Sequence, residues 1–107
     1  MKLDIPHIID KFVHESRSAL QGNVVGEYLF GSYATKTQTP LSDIDILIIV
    51  ESLTPDMQSQ VSGLASEYAL MYDICFSPIL TDTGTWGKNR KFDTLFYQEI
   101  IRNGIRL

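Results

Sequence analysis

Two aspartates, Asp43 and Asp45, stand two residues apart at the start of an apolar run rich in isoleucine and valine. In a β-strand, residues i and i+2 project from the same face, so both carboxylates are predicted to lie side by side. Two adjacent negative charges repel each other unless a cation lies between them. Because hard oxygen ligands suit Mg²⁺ or Mn²⁺, the pair predicts a site for one of these metals.

A Gly-Ser pair, Gly31 and Ser32, follows a short apolar stretch at 24–30 that is predicted to be a strand. Backbone N–H groups converge in a turn that follows a strand, and such turns bind phosphates. Glycine suits the turn because, without a Cβ, it allows close approach of a ligand to the backbone. The sequence therefore predicts a phosphate-binding turn beside a metal site.

A third carboxylate, Asp73, is the only charged residue of the apolar stretch 69–77, which we predict to be a strand. A lone buried carboxylate costs free energy unless it is paired or binds a metal. The alternative is an aspartate at the edge of the sheet that is hydrogen-bonded to nearby backbone. The pair upstream favours the interpretation of Asp73 as a functional residue.

The Gly-Ser pair, the ten residues that separate it from Asp-Ile-Asp and the apolar strand that follows resemble the DNA polymerase β-like nucleotidyltransferase superfamily, and specifically its minimal nucleotidyltransferase domains. The resemblance covers nearly the whole chain and extends to an Asn-Gly-Ile segment at 103–105. It implies an α/β (α+β) domain with the nucleotidyltransferase fold, in which helices flank a small mixed sheet.

The resemblance also implies the roles of the residues. Asp43, Asp45 and Asp73 would be catalytic and would bind two divalent metals, Mg²⁺ or Mn²⁺, while Gly31 and Ser32 would hold the phosphates of ATP as co-substrate.

The turn differs from the pattern of this superfamily at two positions. After Gly-Ser-Tyr-Ala the superfamily usually has a basic residue and then glycine, whereas this chain has Thr35 and Lys36. The basic group is therefore displaced by one position, and the missing glycine is expected to alter the turn.

Minimal domains of this kind are commonly encoded beside a HEPN protein, a ribonuclease toxin, and act as its antitoxin by transferring AMP to a tyrosine. The resemblance therefore implies metal-dependent transfer of a nucleoside monophosphate to a hydroxyl, with a HEPN toxin as partner. Two alternatives are an antitoxin that acts only by binding, with a vestigial site, and an adenylyltransferase of a small hydroxyl compound such as an aminoglycoside.

Size and composition limit the remaining possibilities. A chain of 107 residues that is 44% hydrophobic is expected to form one domain, 1–107. It has no apolar stretch long enough for a bilayer and no signal peptide, and with the single Cys75 this predicts a cytoplasmic protein without membrane contact. A net charge of −4 makes direct nucleic-acid binding an unfavoured interpretation, although residues 84–107 carry +3 and residues 1–83 carry −7.

The spacing of apolar residues predicts helices at 4–20, 54–68 and 92–103, and strands at 24–30, 44–50 and 69–77. The unbroken apolar run of the second strand predicts that both of its faces are covered. Residues 78–91 are predicted to form a loop, in which Trp86 either stacks on a nucleobase or closes the edge of a core or an interface. His7 and His14 are interpreted as structural or exposed.

Overall fold

The computed structural model of the chain describes residues 3–107. The elements follow in the order α1 (Ile5–Ala19), β1 (Val24–Phe30), α2 (Ser32–Thr35), β2 (Ile44–Val50), α3 (Pro55–Tyr72), β3 (Phe76–Asp82), α4 (Thr83–Lys91), α5 (Leu95–Asn103) and β4 (Ile105–Arg106). The strands form one sheet in the order β3-β2-β1-β4. Because β2 is parallel to β3 and antiparallel to β1, the sheet is mixed, which confirms the predicted fold class.

The strand β2 lies in the middle of the protein and carries both parts of the core. Ile44, Ile46 and Ile48 belong to the main cluster, which they form with residues of α1 and α3. Leu47 and Ile49 face the other way and pack with Ile100 of α5. The prediction that both faces of this strand are covered is therefore confirmed, and the strand is a rigid support for residues at its start.

The helices α1 and α3 begin where the sequence predicts. The Asp4 carboxylate accepts a hydrogen bond from the backbone N–H of His7, at 3.2 Å, and so caps α1. The Thr54 hydroxyl accepts one from Met57, at 3.4 Å, and caps α3. Both helices have proline in the first turn, where a missing N–H does no harm.

The predicted strand at 69–77 is wrong. The helix α3 continues through Ala69, Leu70 and Met71 to Tyr72 and ends at Asp73, which has the left-handed conformation with φ 55° and ψ 38°. The strand β3 begins only at Phe76. A short apolar run fits a buried strand and the last turn of a helix equally well, and here the helix prevails because no residue before Asp73 interrupts it.

The predicted loop at 78–91 is also wrong, since it contains most of β3 and the whole of α4. The Asp82 carboxylate accepts a hydrogen bond from the backbone N–H of Thr85, at 2.6 Å, and starts α4 despite two glycines within the helix. Trp86 lies on α4 and packs against Phe96 and Tyr97, so it closes the edge of the smaller core.

Neither histidine lies in the core, and Cys75 is a free, exposed thiol ahead of β3 rather than inside a strand. None of the helices within residues 3–107 combines the length and the apolar character that crossing a bilayer requires.

Candidate active site

The two aspartates project from the start of the central strand. Asp43 directly precedes β2 and is exposed, while Asp45 is its second residue and is partly buried. Ile44, between them, points into the main core and is completely buried. The alternation of a strand therefore directs both carboxylates to the opposite face, as the sequence predicts.

The two carboxylates affect each other electrostatically. The pKa of Asp45 is raised above its ordinary value, first by burial and second by the negative charge of Asp43. Both effects disfavour the ionised form of Asp45, and a bound cation reverses the balance because it stabilises that form. Two adjacent carboxylates of this kind are a candidate for holding a divalent cation.

The Gly-Ser turn reaches the same place from the neighbouring strand. β1 runs antiparallel to β2 and its last residue, Phe30, lies opposite Asp45. Gly31 follows with a positive φ of 72°, and Ser32 is the first residue of α2. In α2, the N–H groups of Ala34 and Thr35 donate to the carbonyl of Gly31, at 3.1 and 3.2 Å. The first two N–H groups, those of Ser32 and Tyr33, precede these bonds and are the ones available to a ligand beside the carboxylates.

Gly31 packs directly on Asp45. A Cβ at position 31 would overlap the Oδ2 atom of Asp45, so no other residue fits without displacing the carboxylate. The close approach makes the turn and the metal-binding candidate one continuous site. Gly31, Ser32, Asp43 and Asp45, predicted from the sequence as parts of a site, are therefore brought together.

Asp73 lies apart from the Gly31 turn, but it lines a cavity of about 260 Å³ together with Asp43. It lies three residues ahead of β3, in the cap of α3, and is exposed. Within residues 3–107, no three His, Cys, Asp or Glu side chains converge closely enough to hold a metal ion. The expected role of Asp73 as a third metal ligand therefore stays a prediction.

The residue of β3 that faces the pair is Ser77. It lies beside Asp45 in the parallel register, and its hydroxyl donates a hydrogen bond of 3.0 Å to Oδ2 of Asp43. The sequence prediction missed Ser77 because it assigned the end of a strand to this residue. A strand beginning at Phe76 would have aligned Ser77 with Asp45.

The displaced basic residue, Lys36, ends α2 in the left-handed conformation, with φ 59° and ψ 35°. It is exposed. With Ile5, Ile9 and Tyr33 it lines a cavity of about 480 Å³. Leu29, a residue of the main core, also lines this cavity.

Comparison with known proteins identifies the family of the chain. Residues 9–102 match the family model described as a nucleotidyltransferase domain. A protein of Methanocaldococcus jannaschii, named "Putative protein adenylyltransferase MJ0141", is 30% identical over 106 residues, which are 98% of this chain and 100% of that protein.

Two solved structures share the fold. One is a crystal structure of a toxin-antitoxin with AMP-PNP (TM-score 0.59, 24% identity, 91% of this chain and 70% of that chain). The other is a tri-AMPylated Shewanella oneidensis HEPN toxin in complex with MNT antitoxin (TM-score 0.50, 23% identity, 94% of this chain and 66% of that chain).

Proposed function

Because the chain belongs to the nucleotidyltransferase domain family, we propose that it transfers AMP from ATP to a hydroxyl group of a partner protein. One observation carries the proposal: the Gly31 turn lies directly against Asp45, the more buried of two adjacent carboxylates. A phosphate held by the turn is then a neighbour of the metal-binding candidates.

Asp43 and Asp45 are the residues that would hold Mg²⁺ or Mn²⁺. They fit such an ion because they are hard oxygen donors on one face of a strand, and because Asp45 is less stable as an anion while it lacks a cation. The bound metal would neutralise charge on the phosphates as the reaction proceeds. Gly31 and Ser32 would hold the phosphates of ATP through backbone N–H groups and one hydroxyl.

In the reaction, the acceptor oxygen forms a bond to the α-phosphorus of ATP, and the bond from that phosphorus to pyrophosphate breaks. The acceptor proton passes to solvent. The contribution of this chain is positional: the turn orients the triphosphate, and the rigid strand β2 keeps the carboxylates in place. Asp43 is exposed, so the reacting centre is open to a second macromolecule.

A tyrosine of a HEPN-type toxin is the acceptor we propose, and the chain then acts as the antitoxin. This assignment is supported by the name of the Methanocaldococcus relative and by the AMPylated HEPN toxin in one of the two solved complexes. We propose further that residues 1–107 work as one domain and that the reaction takes place in the cytoplasm, where the free thiol of Cys75 would stay reduced.

The test is co-expression with the HEPN-type partner that the proposal requires, followed by intact mass spectrometry of that partner. The wild type should add mass in multiples of one AMP moiety, and Asp43→Asn combined with Asp45→Asn should add none. Asp56→Asn, which changes an exposed carboxylate of α3, is the matched control and should behave as wild type. An unmodified partner that is still neutralised would reject transfer and favour an antitoxin that only binds.

A further inference from the structure

The carboxylate of Asp43, the exposed member of the pair, has few contacts that fix its position. Asp43 precedes β2, so its backbone is outside the regular hydrogen bonding of the strand. Among residues 3–107, the Ser77 hydroxyl is the only group that donates a hydrogen bond to the Asp43 side chain. Without that bond, the side chain would be free to rotate into solvent.

Repulsion between the two carboxylates also favours rotation of the Asp43 side chain into solvent. The charge of Asp43 is one of the two causes that raise the pKa of Asp45, so the carboxylates are close enough to repel each other. The fixed partner is Asp45, which packs on Gly31. Repulsion is therefore relieved most easily by movement of Asp43 away from Asp45, unless a donor retains it.

Ser77 is well placed to be that donor because its own backbone is fixed. β3 pairs with β2 over seven residue pairs, and Ser77 lies next to Asp45 in this register. The preceding residue, Phe76, is buried and its ring stacks on that of Phe12 with centroids 4.1 Å apart. A hydroxyl on this strand therefore has a defined position relative to both carboxylates.

We propose that Ser77 is a positioning residue, which keeps the Asp43 carboxylate beside that of Asp45 so that both can engage one metal ion. The inference deepens the proposed function and rests on its metal site. It also assigns a role to the position of β3 that faces the pair, where a neutral donor supports one of two carboxylates and adds no third negative charge.

The experiment is calorimetric titration of the protein with α,β-methylene-ATP, in which the bond that would break is not cleavable. Titrations are done in Mg²⁺ and in a chelator. Ser77→Ala should weaken the affinity in Mg²⁺ about tenfold, as expected for a lost hydrogen bond to a charged group, and leave the affinity in chelator unchanged. Ser77→Thr keeps the hydroxyl and should restore the affinity to within about twofold of wild type.

The matched control is Ser66→Ala, because Ser66 is exposed and, within the described residues 3–107, its hydroxyl bonds only to the backbone of its own helix, at Ser62. It should bind as wild type does. The proposal is overturned if Ser77→Ala binds with wild-type affinity in Mg²⁺, or if Ser77→Thr is as weak as Ser77→Ala. A wild type whose affinity does not rise with Mg²⁺ overturns the proposed metal site as well, so the two failures are distinguishable.

Discussion

Gly31 and Asp45 are packed so closely that a Cβ on Gly31 would occupy the space of the Asp45 carboxylate. They come from different strands, β1 and β2, whose antiparallel pairing aligns Phe30 with Asp45 and so leads the chain into the turn at that point. Gly31 also has a positive φ of 72°, which residues with a side chain rarely adopt. Two independent constraints thus require glycine here.

Gly31→Ala should therefore displace Asp45 and strain the turn. We expect a loss of about 1–3 kcal/mol in the free energy of unfolding, and no stabilisation by Mg²⁺ with ATP in thermal melts. Gly63→Ala is the control, because a Cβ at Gly63 meets nothing within 4 Å and lies in the helix α3. That variant should be slightly more stable and should respond to Mg²⁺ and ATP as wild type does. Equal responses of both variants would contradict the close packing.

At Lys36, in the same turn, a substitution is expected to stabilise the protein, whereas Gly31→Ala is expected to destabilise it. Lys36 has a left-handed backbone with φ 59°, which disfavours any side chain. Lys36→Gly should raise the free energy of unfolding by about 0.5–1 kcal/mol in urea denaturation. Lys36→Ala removes the charge and keeps the Cβ, so it should give no such gain. If both variants are equally stable, the conformation at Lys36 is not strained.

The sequence predicts correctly those parts of the site that depend on patterns within a few neighbouring residues. β1 and β2 are bounded by turn-forming residues, and both occupy the predicted residues 24–30 and 44–50. The period of a strand alone places Asp43 and Asp45 on one face. The contact between Gly31 and Asp45 depends on strand pairing, but it needs only two adjacent strands to be correct.

The predictions that are wrong concern segments whose structure depends on contacts with residues distant in the sequence. An apolar run as short as Ala69–Tyr72 fits a strand and the last turn of a helix equally well, so the local pattern does not decide between them. The same error placed the end of a strand at Ser77, whose hydroxyl in the structure donates a hydrogen bond to Asp43. The strand β4 also cannot be predicted from its own residues, because Ile105 and Arg106 form a strand through pairing with Leu29 and Tyr28.

Glu27 predicts a pH dependence of stability. Its carboxylate on β1 is fully buried, accepts a 3.2 Å hydrogen bond from Nε of Arg17 and accepts weaker ones from Ser16. Burial raises its pKa from 4.5 to about 7, although Arg17 opposes the shift. The folded protein then binds a proton at Glu27 more tightly than the unfolded chain does. The contribution of this group to the free energy of unfolding is therefore fully present below about pH 4.5 and is lost as the pH rises through 7.

The expected decrease is up to about 3 kcal/mol between pH 5 and 8. Glu27→Gln cannot ionise, so its free energy of unfolding should fall less over this range, and it should exceed that of wild type at pH 8. Urea denaturation at several pH values measures both curves. Parallel curves for the two proteins would show that Glu27 does not titrate in this window.

The final prediction separates the two aspartates that the sequence assigned to the same site. Asp45 packs on the Gly31 turn, whereas Asp73 is exposed and ends α3 in a left-handed conformation. Asparagine also tolerates that conformation, so Asp73→Asn should leave the fold intact and reduce the rate of AMP transfer less than about threefold. Asp45→Asn removes a ligand needed for charge stabilisation in the transition state, and the rate should fall at least about a hundredfold. Initial rates from intact mass spectra of the partner protein give both numbers. A loss in Asp73→Asn as large as that in Asp45→Asn would instead assign Asp73 to the reacting site, together with Asp43, with which it lines a cavity.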